Sequence, residues 1–204
     1  MKKIVIATRN QGKLREMREA FAPLPVEVLS LDDFEAFPEP VEDGATFEAN
    51  AILKARYYME KTGCACVADD SGLEVAALGG APGVFSARYA GQHGDDEANN
   101  VKVVALLAAQ GLTASAADYR CVLAYCDTEG REIHTEGRCD GFFGSPPRGE
   151  NGFGYDPYFY VRDERYAGRT MAQLTLEEKD GISHRGQALR KLVAELHQRI
   201  GGLQ

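Results

Sequence analysis

The chain has 204 residues, of which 44% are hydrophobic and 26% charged. That is enough apolar content for a sizeable core and too much for a disordered segment. Its 31 acidic and 23 basic side chains leave a formal charge of -8, which excludes a protein that coats a nucleic-acid backbone but not one that holds a small anion with a few local cations.

Ile4 to Ala7 is a short apolar run rich in β-branched residues, as in a strand covered on both faces. It is too short for a signal-peptide core or a membrane span, so the expected location is cytoplasmic, with no membrane partner. Thr8 to Gly12 reads as a turn. A helix follows over Lys13 to Phe21, with Leu14, Met17 and Phe21 at helical spacing, and Pro23 and Pro25 end it. Val26 to Leu31 is a second strand. Asp32 to Gly44, punctuated by Pro38 and Pro40 and rich in acids, is a loop. Thr46 is the expected N-cap of a helix running to about Lys61. Cys64 to Ala68 is a buried strand, expected to end in Asp69-Asp70-Ser71-Gly72.

Leu73 to Tyr89 reads as irregular. Asp95 to Gln110 is a helix expected to bury Val101, Val104, Leu107 and Ala108. Tyr119 to Tyr125, the turn Asp127 to Gly130 and Glu132 to Cys139 form a hairpin, and Gly141 to Gly154 is a loop. Ser183 to Ile200 closes the chain as a helix with Leu189, Leu192, Val193, Leu196 and Ile200 on one face. Strands mixed with helices predict an α/β fold, and the hairpin argues against an all-parallel sheet. Five cysteines without a C-x-x-C pair read as reduced thiols serving as small buried apolar residues, not as a zinc ribbon.

Four segments carry candidate chemistry. Thr8-Arg9-Asn10-Gln11-Gly12-Lys13 joins a strand to a helix, where backbone N–H groups and the helix dipole favour an anion. Lys13 offers a point charge for phosphate; the alternative is a plain capped helix with a solvated lysine. Adjacent carboxylates at Asp69 and Asp70 repel unless a cation satisfies them, and Mg²⁺ is the natural one; the plainer reading is an Asx turn. Glu39 to Gly44 adds acids, which matter only if the fold brings them beside Asp70. Asn151 to Pro157 is dense in glycine and aromatics and could show a ring face to a nucleobase, or simply tuck a ring into the core. Lys179, His184 and Arg185 put cationic groups where a last helix was expected to open, against the helix dipole. That points to an acceptor-rich ligand there, or to cations in water paired with Glu177 or Glu178. His93, His134 and His197 read as surface residues.

Taken in order, these segments resemble the Ham1/RdgB family of non-canonical purine nucleoside triphosphate pyrophosphatases, the inosine triphosphate or dITP/XTP pyrophosphatases. The matching pieces are Ala7 to Lys13, Gly44-x-Thr46-Phe47-x-x-Asn50-Ala51-x-x-Lys54-Ala55 and Asp69 to Leu73. Leu78 to Gly83 follows with Ser86 to Tyr89, then Gly152 to Pro157, and last Glu178-Lys179 with Ile182 to Gly186. The resemblance implies one domain over 1–204, an elongated mixed β-sheet flanked by helices, and two lobes with a central substrate cleft. It also implies a homodimer, and Mg²⁺-dependent hydrolysis of ITP, dITP or XTP to the monophosphate and pyrophosphate, cleaning the nucleotide pool. No nucleic-acid polymer is implied as partner.

Residue by residue, it makes Thr8, Arg9, Asn10, Gln11, Gly12 and Lys13 the phosphate loop. Asp70 becomes the metal-associated general base and Ser71 a substrate contact. Phe153, Gly154, Tyr155 and Asp156 become the base-stacking and base-reading segment, and Lys179, His184 and Arg185 further substrate contacts. Where the family often has Glu-Glu-Thr-Gly, this chain has Val41-Glu42-Asp43-Gly44; Glu42, two residues before the glycine, takes the place of the metal carboxylate beside Asp70. Ala49 stands where the family commonly has an acid. The rival readings are a Maf-type pyrophosphatase acting on pyrimidine or modified nucleotides, and a nucleotide-binding module without turnover.

Overall fold

The computed structural model describes residues 2–201, with side-chain surroundings described through residue 199; Ile200, the last member of the expected closing face, lies outside them. The elements in chain order are β1 (Lys2–Ile6), α1 (Gln11–Phe21), β2 (Val26–Ser30), α2 (Phe47–Thr62), β3 (Ala65–Val75) and α3 (Asp96–Ala109). Then come β4 (Ala114–Cys126), β5 (Glu132–Gly144), β6 (Phe159–Val161), α4 (Leu176–Ile182) and α5 (His184–Gly201). The strands form one six-stranded sheet in the order β2-β1-β3-β4-β5-β6. β1 runs parallel to both β2 and β3, while β5 and β6 are antiparallel, so the sheet is mixed.

The chain divides into two compact units. The first comprises Met1–Asp70, Cys121–Gly137 and Arg185–Gln204, and the second Ser71–Arg120 and Arg138–His184. In the first, Ile4, Ile6 and Val67 pack with Leu14, Met17 and Phe21 of α1 and Ala188, Leu189, Leu192 and Leu196 of α5. Burying an apolar side chain of this size stabilises by about 1.5–3 kcal/mol, so the α1 face outweighs the cap that Asn10 places on Lys13 N–H, which is worth about 1 kcal/mol. In the second, Leu73, Val75, Val103, Leu107, Phe143, Phe159, Met171 and Leu174 form a separate core.

Thr46 caps α2 as expected, accepting from Ala49 N–H at 3.1 Å. Four expectations are corrected. β3 does not end at Asp69; it runs on through Asp69, Asp70 and Ser71 to Val75, so no Asx turn forms there. Leu73 to Val75, expected to be irregular, belongs to this strand. α3 buries Asn99, Asn100, Val103 and Leu107, while Val101 and Ala108 are exposed. The amides can face inward because Asn99 Oδ1 accepts from Ala90 N–H at 2.7 Å and Asn100 Nδ2 donates to Gly154 O at 2.9 Å, while Asn100 Oδ1 is buried without a partner among the described residues. Finally, Lys179 lies in a short helix of its own, α4, and α5 starts only at His184. Ser183, extended at ψ 144°, separates the two.

All five cysteines are free thiols, and Cys66, Cys121, Cys126 and Cys139 are buried. Burial pushes the thiols of Cys121, Cys126 and Cys139 up to about 12, where the reactive thiolate is scarce at neutral pH. Ellman's reagent at pH 8 is therefore expected to titrate the half-buried Cys64 in the native protein and the other four only after denaturation. Rapid reaction of several thiols in the native protein would contradict this.

Candidate active site

The first unit collects its polar residues where β1 stops. Ile6 pairs with Val67 of β3, and Ala7 N–H still reaches Val67 O at 2.8 Å. Beyond that point β1 turns into Thr8–Asn10 while β3 continues into Asp69 and Asp70. The carboxyl ends of neighbouring parallel strands are where open α/β sheets take their ligands. Within the turn, Thr8 Oγ1 accepts from Asn10 N–H at 3.2 Å and Asn10 Oδ1 accepts from Lys13 N–H at 3.0 Å. Arg9, Asn10 and Gln11 are exposed. The Arg9–Glu39 ion pair at 3.3 Å is exposed as well and contributes little.

The two acids of β3 have different partners. Asp69 Oδ2 lies 2.7 Å from Lys13 Nζ and 3.8 Å from Arg185 Nε, and Arg185 in turn meets Glu16 at 2.9 Å. Burial alone would push the Asp69 carboxyl up, but Lys13, Arg185 and Lys54 together hold it well below the usual carboxylate range. Asp70 accepts from Asn50 Nδ2 at 3.1 Å and from Lys54 Nζ at 3.2 Å. Burial pushes its carboxyl up, and Glu42 adds to that against the pull of Lys54, so Asp70 stays above the usual range.

Lys54 and Asn50 were not among the expected site residues, yet they organise it. Lys54 Nζ donates to Glu42 at 3.1 Å as well as to Asp70, so the two carboxylates converge on one cation. Burial opposes its charge, but Asp70, Asp69 and Glu42 more than compensate and raise its pKa. Asn50 Oδ1 accepts from Gly44 N–H at 2.8 Å and so ties the acidic loop to Asp70. Gly44 allows this approach, since a Cβ there would lie 2.5 Å from that oxygen. Their signal in the sequence was the spacing Asn50-x-x-x-Lys54, which puts both on one face of α2.

No group of three or more His, Cys, Asp or Glu side chains arranged to hold a metal exists among the described residues. Two carboxylates already gathered around an ammonium nonetheless suit Mg²⁺, which takes one or two carboxylates and completes its shell with water and phosphate.

The second unit holds the aromatic segment. Asp156 is its hub: Oδ1 accepts from Tyr119 OH at 3.0 Å, and Oδ2 accepts from Phe153 N–H at 3.2 Å and Lys179 Nζ at 2.6 Å. Those donors all belong to the chain itself, so the Asp156 carboxylate shapes the segment from within. Gly152, at φ 87°, is required here, because a Cβ would meet Asp156 Oδ2. Phe153 is 41% exposed, with Lys179 Nζ 5.2 Å from its ring centroid. Tyr155 is buried and donates to Ser86 O at 2.8 Å. His184 is buried and stacks on Tyr119 with centroids 4.8 Å apart. Lys179, His184 and Arg185 do not share one helix start; Lys179 pairs with Asp156 and Arg185 with Glu16. Glu178 instead binds Arg169 at 2.9 Å. Ser71 is half-buried on β3.

Comparison with known proteins bears on this geometry. The family model described as the Ham1 family matches residues 4–195. The chain is similar to a protein of Syntrophobacter fumaroxidans named dITP/XTP pyrophosphatase, 50% identical over 96% of this chain and 82% of that one. A protein of Geobacter sulfurreducens with the same name is 48% identical over 94% of this chain and 95% of its own length. Among solved structures, a HAM1 protein from Coxiella burnetii superposes with a TM-score of 0.89 at 42% identity, over 97% of this chain and all of that one. With a family match across nearly its whole length, close relatives and a shared mixed sheet, the chain belongs to the Ham1 family.

Proposed function

We propose that this protein hydrolyses non-canonical purine nucleoside triphosphates (ITP, dITP and XTP) to the monophosphate and pyrophosphate, and so clears them from the nucleotide pool. The observation that carries the reading is Asp70. It is a buried carboxylate held above its usual pKa, braced by Asn50, and set beside Glu42 around a shared cation. A carboxylate so placed is a stronger base than a solvated one. The names of the relatives at 48–50% identity support the same substrate class.

The cofactor in this reading is Mg²⁺, held by Glu42 and Asp70. When bound it supplies positive charge against the phosphate oxygens. Asp70 orients a water and takes its proton. The water oxygen bonds to the α-phosphorus, the bond from that phosphorus to the α–β bridging oxygen breaks, and the bridging oxygen leaves on pyrophosphate. Lys13, at the start of α1, meets the phosphate chain as a point charge, and the outward N–H groups of residues 8–13 add neutral donors. Phe153 offers its exposed ring to the purine. A 6-oxo purine presents an acceptor where adenine has an amino donor, which suits donors from His184, Arg185 and backbone N–H groups. A site built on such hydrogen bonds discriminates by roughly 10⁴ or more. The reading includes a homodimer in the cytoplasm; no helix among the described residues is long and apolar enough to cross a membrane.

The test is incubation of the purified protein with ITP, XTP, GTP and ATP, with and without Mg²⁺, followed by identification of products. Mg²⁺-dependent release of pyrophosphate with IMP or XMP, and little from GTP or ATP, is the expected result. Orthophosphate as the product, or indifference to the base, would sink the reading.

A further inference from the structure

The turn that carries Phe153 is held by a helix remote in sequence. Gly152 and Gly154 flank Phe153 with φ of 87° and 65°, a backbone with high intrinsic freedom. Both polar groups of Gly154 are nonetheless engaged by α3. Asp96 Oδ2 accepts from Gly154 N–H at 2.8 Å, and Asn100 Nδ2 donates to Gly154 O at 2.9 Å. One residue earlier, Phe153 N–H is taken by Asp156. Asn100, buried at 5% exposure, also donates to Asp96 O at 2.8 Å, and Asp95 caps Ala98 N–H at 3.0 Å. The first turn of α3 is thus a braced support, and Asp96, itself exposed, spends its carboxylate on the loop instead of on packing.

We propose that Asp96 and Asn100 are positioning residues that hold Phe153 for stacking on the purine and thereby set how tightly the base is held; this rests on the function proposed above. Neither touches the reacting phosphate. Their work is to order, before substrate arrives, a diglycine turn whose ordering would otherwise be charged against binding. Such residues act on KM and leave turnover at Asp70 alone.

The test compares wild type, Asp96→Ala, Asp96→Asn and Asn100→Ala for XTP and ITP hydrolysis, together with amide hydrogen exchange of residues 152–156. In Asp96→Ala, KM for XTP is expected to rise about tenfold with kcat changed less than about twofold. KM for ITP rises by a similar factor, because the ring stacks on either base, and exchange at 152–156 quickens. Asp96→Asn keeps an acceptor oxygen and is expected to restore most of the wild-type KM. Asn100→Ala is expected to behave like Asp96→Ala. Because Asn100 is buried, the exposed Asp96 carries the decision if that variant does not fold. An unmoved KM in Asp96→Ala, or a fall in kcat at constant KM, overturns the inference while leaving the functional reading intact. A wild-type protein that releases pyrophosphate from none of the purine nucleotides overturns the functional reading, and this inference with it.

Discussion

An Asp70→Asn enzyme is expected to lose about 10²–10⁴-fold in turnover while still binding nucleotide. The side chain keeps its size and an oxygen for Asn50 or Lys54, which now donate to it at 3.1 and 3.2 Å, but it can no longer accept the proton of a water. That loss corresponds to about 3–5 kcal/mol of transition-state stabilisation. Stability is expected to move differently. Burial and Glu42 raise the Asp70 pKa in the folded chain. A carboxyl whose folded pKa is raised takes stability away as pH rises through that pKa, so at neutral pH the ionised Asp70 is a burden on the fold. The neutral variant should therefore melt no lower than wild type. Steady-state pyrophosphate release, calorimetric nucleotide binding and thermal melting read the three quantities separately. Near-normal turnover would remove Asp70 from the role of base.

Its neighbour should behave in the opposite way. Asp69→Ala is expected to destabilise the fold by about 3–5 kcal/mol, because it strands cations in a buried place. The Asp69 side chain is 3% exposed, Lys13 20% and Arg185 4%. Glu16 still partners Arg185, but the Lys13 ammonium loses its 2.7 Å contact. For a chain of about this length, roughly 2–4 °C of melting temperature goes with each kcal/mol, so a drop of roughly 10 °C is expected. The dependence on pH follows from the direction of the shift. Lys13, Arg185 and Lys54 outweigh burial and depress the folded pKa of Asp69. Its contribution is therefore fully present above the unfolded value of about 3.9 and is lost as pH falls through the lower folded value. The gap in melting temperature between wild type and Asp69→Asn should be constant from pH 7 to 5 and narrow below about pH 4. A gap that ignores pH would mean that Asp69 serves by shape and hydrogen bonding alone.

The two adjacent aspartates show how far the sequence reaches. That Asp69 and Asp70 follow a buried apolar run and need a cation was legible from chemistry alone, whereas Glu42 as their acidic neighbour was implied only by the family resemblance. Which cation meets which acid was not legible. Side chains at successive positions of a strand point to opposite faces, so Asp69 meets Lys13 and Arg185 while Asp70 meets Asn50 and Lys54. That division exists because β3 stays extended through both residues instead of turning. The expected turn rested on local preferences of Asp, Ser and Gly, and sheet pairing overrode them.

The inner face of α3 shows the same limit. Hydropathy places Val101 and Ala108 inside, but the helix buries Asn99 and Asn100, where Ala90 N–H meets Asn99 Oδ1 and the carbonyls of Asp96 and Gly154 meet Asn100 Nδ2, while Asn100 Oδ1 stays without a partner among the described residues; bonding of a buried amide offsets most of the cost of burying it.

From sequence alone, this chain declared most of its strands and helices, an α/β class with a hairpin that breaks an all-parallel sheet, and an ordered set of segments matching one family. Composition and periodicity are sums over local residues, and they survive without coordinates. Tertiary structure alone decided that Lys54 is shared between Glu42 and Asp70, that Asp156 is committed to Tyr119, Phe153 and Lys179, and that α3 holds the Phe153 turn. Apart from the Phe153–Asp156 bond, which spans three positions, those are contacts between residues 12 to 58 positions apart. Their partners are chosen by packing geometry and by the need to satisfy every buried charge, neither of which is written in any one stretch of chain.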